Sequence, residues 1–77
     1  MNLVLDEIDL ALLKAVIEQP GIRQRAAYMP FLDIESESKL WKRVQALIEY
    51  HYLKRVEKVR SNVVLYPTQK SKKLVNR

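Results

Sequence analysis

The sequence predicts a mainly α domain: three helices in a bundle, closed by a small β-hairpin. Three observations carry that prediction. Apolar residues recur at helical spacing through two long stretches, 5–19 and 36–50. Pro20-Gly21 and Pro30 divide the first half of the chain into separate segments. After Leu53 the period changes to β-branched runs on either side of Arg60-Ser61-Asn62.

Leu5 through Gln19 reads as the first helix. Asp6 is the expected N-cap, with Glu7 and Asp9 in the first turn, where the helix dipole favours anions. Ile8, Leu12 and Val16 form one stripe, and Leu13 and Ile17 lie beside it. Leu10 and Ala11 widen that surface, which predicts contact with two neighbours or with a second copy of the chain. Pro20 cannot continue the helix and Gly21 accepts the left-handed turn that ends it.

Ile22 to Met29 is expected to be a short second helix whose buried face is Ile22, Ala26 and Met29, closed by Pro30. Adjacent alanines at 26 and 27 permit close approach of a neighbour. Phe31, Leu32 and Ile34 then form an apolar linker expected to tuck inward, with Asp33 or Ser36 capping the next helix.

The third helix is expected over 36–50. Leu40, Val44, Leu47 and Ile48 share its buried face, with His51 continuing the line. At 100° per residue, Glu35, Ser38, Lys39, Lys42, Ala46 and Glu49 point the other way, flanked by Arg43 and Gln45. About fifteen residues span roughly 22 Å, enough to lie in a DNA major groove while the opposite face stays buried. Two helices joined by a linker, the second exposing a polar face, make a helix-turn-helix arrangement, here with a turn longer than the minimal one.

Leu53–Val59 and Val63–Thr68 read as a hairpin in which Asn62 is best suited to a positive φ. Pro67 lacks an N–H and belongs on an edge or at a strand's end. Thr68 is the expected cap of a short terminal helix that docks through Leu74 and Val75, with the residues past Val75 fraying.

The 77 residues are expected to form one domain, and 48% hydrophobic residues supply its core. The absence of cysteine removes disulfides and thiolate metal sites. The start lacks the basic region and apolar run of a signal peptide, and no stretch has the length of a membrane span. A cytoplasmic location is the resulting expectation. Net charge is +5, but residues 1–19 carry −3 and residues 54–77 carry +7. That polarity predicts an anionic partner for the C-terminal half.

Chemistry beyond binding finds little support. His51 is the sole histidine, one glycine cannot build a phosphate loop, and no metal-ligand spacing occurs. The chain is expected to be no enzyme and to use no cofactor, metal or small-molecule ligand. Ser38, Lys39, Lys42 and Gln45 are the candidates for base edges, with Arg43 beside them. Arg23 and Arg25 are candidates for phosphate. Lys58, Arg60 and Asn62 at the hairpin tip are candidates for DNA backbone or minor groove. Each set also reads as ordinary solvated surface when taken alone; their order along the chain favours the binding reading. Lys70, Lys72, Lys73 and Arg77 are expected to be solvated, and Trp41 to be a half-buried packing residue.

Leu40-Trp41-Lys42-Arg43-Val44-Gln45-Ala46-Leu47 followed by Leu53-Lys54-Arg55-Val56-Glu57 resembles the recognition helix and first wing strand of the winged helix-turn-helix family. Tyr66-Pro67-Thr68-Gln69-Lys70-Ser71-Lys72-Lys73-Leu74 is similar to the segment that closes the wing in MarR-like regulators, with Pro67 and Ser71 replacing the usual leucine and glycine. His51 stands where that family commonly has glycine. In its size the chain also resembles small regulators of phages, plasmids and archaeal viruses. The resemblance implies a three-helix bundle plus wing, with helix 36–50 in the major groove and wing 54–66 on backbone or minor groove. The implied function is sequence-specific recognition of double-stranded DNA by a transcriptional regulator, acting as a homodimer on a two-fold related site. The alternative is a winged-helix module for protein–protein interaction, using Leu3, Val4, Leu10 and the tyrosines.

Overall fold

A computed structural model describes residues 4–58 and 62–75. Helix α1 spans Glu7–Glu18 and is capped by Asp6. The cap is reciprocal: Asp9 N–H donates to the Asp6 carboxylate at 3.0 Å, and Asp6 N–H donates to the Asp9 carboxylate at 3.2 Å. Gly21 turns the chain at φ +87°, and its N–H reaches Leu65 O at 2.8 Å. A Cβ there would meet Tyr66 Oη at 3.3 Å, so both the backbone angle and the close approach call for glycine.

The segment expected as one helix over 22–29 is three pieces. Ile22–Arg23 form strand β1, Gln24–Tyr28 form helix α2, and Met29–Phe31 form a single 3₁₀ turn. The anchor at Gly21 lays Ile22 and Arg23 beside a distant strand, and a tertiary ladder overrides local helix preference there. Pro30 sits inside the 3₁₀ turn near its start, where a missing N–H costs nothing. The buried face is Ala27 and Tyr28; Ala26 is exposed and Met29 is half-exposed. Of the linker, only Phe31 packs inward, whereas Leu32 and Ile34 face solvent.

Helix α3 spans Glu37–Glu49, its first turn capped by Ser36 Oγ. It ends in a tight turn in which Tyr52 N–H bonds Leu47 O at 2.8 Å and His51 N–H bonds Ile48 O at 3.1 Å. This is the Schellman arrangement, and it puts His51 in the left-handed region at φ 65°. His51 therefore leaves the buried stripe and is exposed.

Strands β2 (Leu53–Lys58) and β3 (Asn62–Pro67) form the expected antiparallel pair. With β1 they make a three-stranded sheet of order β1-β3-β2. Asn62 pairs with Lys58 as a strand residue; among the described residues only His51 and Gly21 have positive φ. Pro67 ends β3 opposite Leu53. Helix α4 spans Gln69–Val75, and Thr68 and Ser71 cap each other through side-chain–backbone bonds of 3.0 and 3.3 Å. Ser71, where the resembled family has glycine, is fully buried by that role. The residues past Val75 lie outside those described.

One core joins these elements. Leu12, Leu13 and Val16 of α1 meet Ala27 and Tyr28 of α2, Leu40, Val44 and Leu47 of α3, and Leu53 and Leu65 of the sheet. Leu74 and Val75 of α4 pack at its edge. Burying each of the large side chains contributes about 1.5–3 kcal/mol, and the arrangement leaves one face of α3 outside.

Candidate nucleic-acid interface

The outer face of α3 is set by its inner one. With Leu40, Val44 and Leu47 fully buried, helical geometry turns Ser38, Lys39 and Lys42 to solvent, and all three are exposed. Gln45 is half-buried on the flank. The Ser38 hydroxyl lies 3.4 Å from Ser36 Oγ, and Lys39 contributes its N–H to the Ser36 cap.

Arg43 departs from the expected set. Its guanidinium is turned inward to three carboxylates: Glu35 at 2.8 Å, Asp6 at 2.7 Å and Asp9 at 3.1 Å. Glu35 receives it through both oxygens, Nε to Oε1 and Nη2 to Oε2 at 2.9 Å. The side chain is only 24% exposed, and each of its three guanidinium nitrogens is already bonded to a carboxylate of the protein itself. The bond from Glu35 foremost, then those from Asp6 and Asp9, raises the arginine above its ordinary pKa. Arg43 in turn holds the Glu35 carboxyl below its usual range. Asp6 is lowered chiefly by the Asp9 N–H and further by Arg43. The clamp fixes the angle of α3 against the start of α1.

Beside α3 lies an open groove of about 330 Å³. Arg23, Gln24, Arg25 and Tyr28 form one side, Trp41 of α3 another, and Arg55, Asn62 and Val63 of the ribbon the third. Arg23, Arg25 and Asn62 are thus brought together beside Trp41 of α3. Arg25 reaches Glu37 at 3.9 Å in an exposed pair that holds it loosely. Burial, and then the charge of Glu37, pushes the Tyr28 hydroxyl up. The side chains of Lys58 and Arg60 lie outside the described residues. Among the described residues no group of three His, Asp or Glu side chains is arranged to hold a metal ion, and no helix is long and apolar enough to cross a membrane.

The turn that leads from α3 to the ribbon is pinned by α4. Thr68 Oγ1 donates to His51 O at 2.7 Å, and Lys70 Nζ donates to Tyr50 O at 2.9 Å. Lys70 also sits 4.2 Å above the Tyr52 ring. Lys70 is exposed, as expected, and adds a surface bond to the backbone of the turn.

No protein-family profile matches the chain, and no curated protein sequence does. Solved structures do match its fold. The crystal structure of the PcaV transcriptional regulator from Streptomyces coelicolor, solved with its natural ligand, superposes with a TM-score of 0.80 at 20% identity. That match covers 95% of this chain and 52% of PcaV, so the chain spans about half the length of that regulator. The crystal structure of SSV1 F-93 superposes with a TM-score of 0.77 at 18% identity, covering 97% of this chain and 81% of that one. The chain has the winged helix-turn-helix fold.

In a winged helix α3 takes the recognition-helix position and β2–β3 the wing. Two residues of the groove, Arg55 and Trp41, are not among the DNA-contact candidates read from the sequence. Arg55 pairs with Leu65, whose other neighbour is Ile22, so the ladder sets Arg55 across β3 from the β1 segment that holds Arg23. Without β1 that proximity has no signal. Trp41 is 48% exposed, half-buried as its 60° offset from the buried stripe predicts, and its open side walls the groove.

Proposed function

We propose that this winged helix binds double-stranded DNA sequence-specifically as a transcriptional regulator. The observation that carries the reading is the uncovered outer face of α3, with Ser38, Lys39 and Lys42 exposed and an arginine-lined groove along its edge. Ser38, Lys39, Lys42 and Gln45 read base edges in the major groove. Arg23, Arg25 and Arg55 meet phosphate and set the register, while Lys58, Arg60 and Asn62 bring the wing to backbone or minor groove. A homodimer on a two-fold related site completes the arrangement.

Selection of bound duplexes from a random pool tests the reading, with a half-site repeated in inverted orientation as the expected product. If each subunit neutralises about four or five phosphates, the log–log salt slope is about −4 per subunit. Salt-independent binding, or no enrichment of any duplex, overturns it. A second reading, a module for assembling proteins, is favoured by the exposure of Val4 at 87% and Ile34 at 66%. It predicts that added duplex leaves α3 undisturbed.

A further inference from the structure

Trp41 is the chain's one tryptophan, and nearly half of it faces solvent in a groove whose other walls carry Arg23, Arg25 and Arg55. No acid is among the described residues that line the groove; Glu37 touches it through its loose pair with Arg25. Gln24, also in the wall, has a buried carbonyl oxygen with no hydrogen-bond partner. A large exposed apolar ring among cations fits an occupant that carries negative charge and an apolar group side by side.

Helical spacing narrows the choice. Trp41 lies three residues after Ser38 and four before Gln45, so it shares the strip that faces base edges. The apolar group on the major-groove edge of a base pair is the thymine C5 methyl. That methyl projects beside the backbone of its own strand, so one nucleotide step presents both a methyl and phosphates. Stacking on an unpaired base fits less well. Single strands call for successive aromatic platforms, and the other ring of the groove, Tyr28, is only 5% exposed.

We propose that this groove is a thymine subsite in which Trp41 covers the C5 methyl while Arg23 and Arg55 hold the adjoining phosphates. The inference rests on the duplex-DNA reading above and makes Trp41 a specificity-determining residue. Its test replaces each thymine of a selected duplex by uracil, which removes the methyl and keeps the base pair. One position per half-site then weakens wild-type binding about fourfold, the value of one methyl withdrawn from water. Trp41→Ala and Trp41→Gln lose that penalty while still binding, and Trp41→Phe keeps it. Tryptophan emission changes on adding the thymine duplex and not on adding its single strands. Wild-type indifference to uracil everywhere, or an unchanged penalty in both Trp41→Ala and Trp41→Gln, overturns the subsite and leaves duplex recognition standing. Tighter binding to single strands gives the groove to an unpaired base and also overturns it. Failure of the wild type to bind any duplex removes both proposals together.

Discussion

Arg43, in the middle of α3, donates to Asp6, the residue that caps α1, at 2.7 Å. One cation thereby ties the helix proposed to enter DNA to the first turn of the bundle, 37 residues earlier in the chain. Asp9, the other half of that cap, is 6% exposed and accepts from the same guanidinium. The clamp is a positioning device, and its removal has consequences distinct from those of removing a DNA contact.

Arg43→Met leaves three carboxylates facing one another with no cation between them. Loss of about 2 kcal/mol is expected for the charge-assisted bonds, lowering Tm by about 10 °C in a domain of this size. Binding measured well below that Tm is expected to keep its salt slope, because Arg43 is held by the protein's own carboxylates. Thermal melts and salt titrations of the one variant check both halves.

Acid should weaken the fold through the same cluster. Asp6 and Glu35 have folded-state pKa values below their ordinary 3.8 and 4.5. The unfolded chain therefore binds more protons through this range, and stability falls as pH drops. The contribution is complete above about pH 5.5 and is lost progressively below the ordinary values. Arg43→Met flattens most of the Glu35 part. Part of the Asp6 dependence survives, because the Asp9 N–H is its main cause. Urea melts at a series of pH values read this directly.

His51→Gly is expected to stabilise the protein. His51 holds φ 65° with an exposed side chain, and a left-handed backbone costs a non-glycine residue about 1–2 kcal/mol. The bonds made at this turn use the backbone of residue 51, so glycine keeps them. A gain of about 1 kcal/mol, or about 4–8 °C in Tm, is the expected melt; a lower Tm would mean that the imidazole contributes something the geometry does not reveal.

Lys42→Ala is the converse of the Arg43 change. Stability stays within about 0.5 kcal/mol, as for an exposed side chain without structural partners. Binding weakens on every sequence, and the salt slope becomes shallower by about one. Lys39→Ala and Gln45→Ala relax sequence preference instead, which a competition between the selected duplex and single-base variants measures.

What is legible in the chain and what is not divides along a physical line. The Asp6 cap, the Pro20-Gly21 stop, the α3 stripe of Leu40, Val44 and Leu47 and the Thr68 cap are all set by residues a few positions apart. Strand β1, the solvent-facing Leu32 and Ile34, and the capture of Arg43 depend on partners that only the folded chain brings near. By angle alone Arg43 stands at the border of the polar face. The three acids that claim it come from two other segments, and helical periodicity contains no information about them. The places of Arg55 and Trp41 in the groove escape a reading of the sequence for the same reason: a groove belongs to three elements at once.

If the outer face of α3 and its bordering groove receive duplex DNA, the contact is visible residue by residue. Backbone amide shifts of isotope-labelled protein, followed while a selected duplex is added, provide that map. Changes are expected to concentrate at residues 36–45, at Arg23 and Arg25, and along the ribbon at Arg55 and Asn62. Changes confined to Val4, Ile34 and the start of α1, with α3 silent, would refute duplex binding at this face.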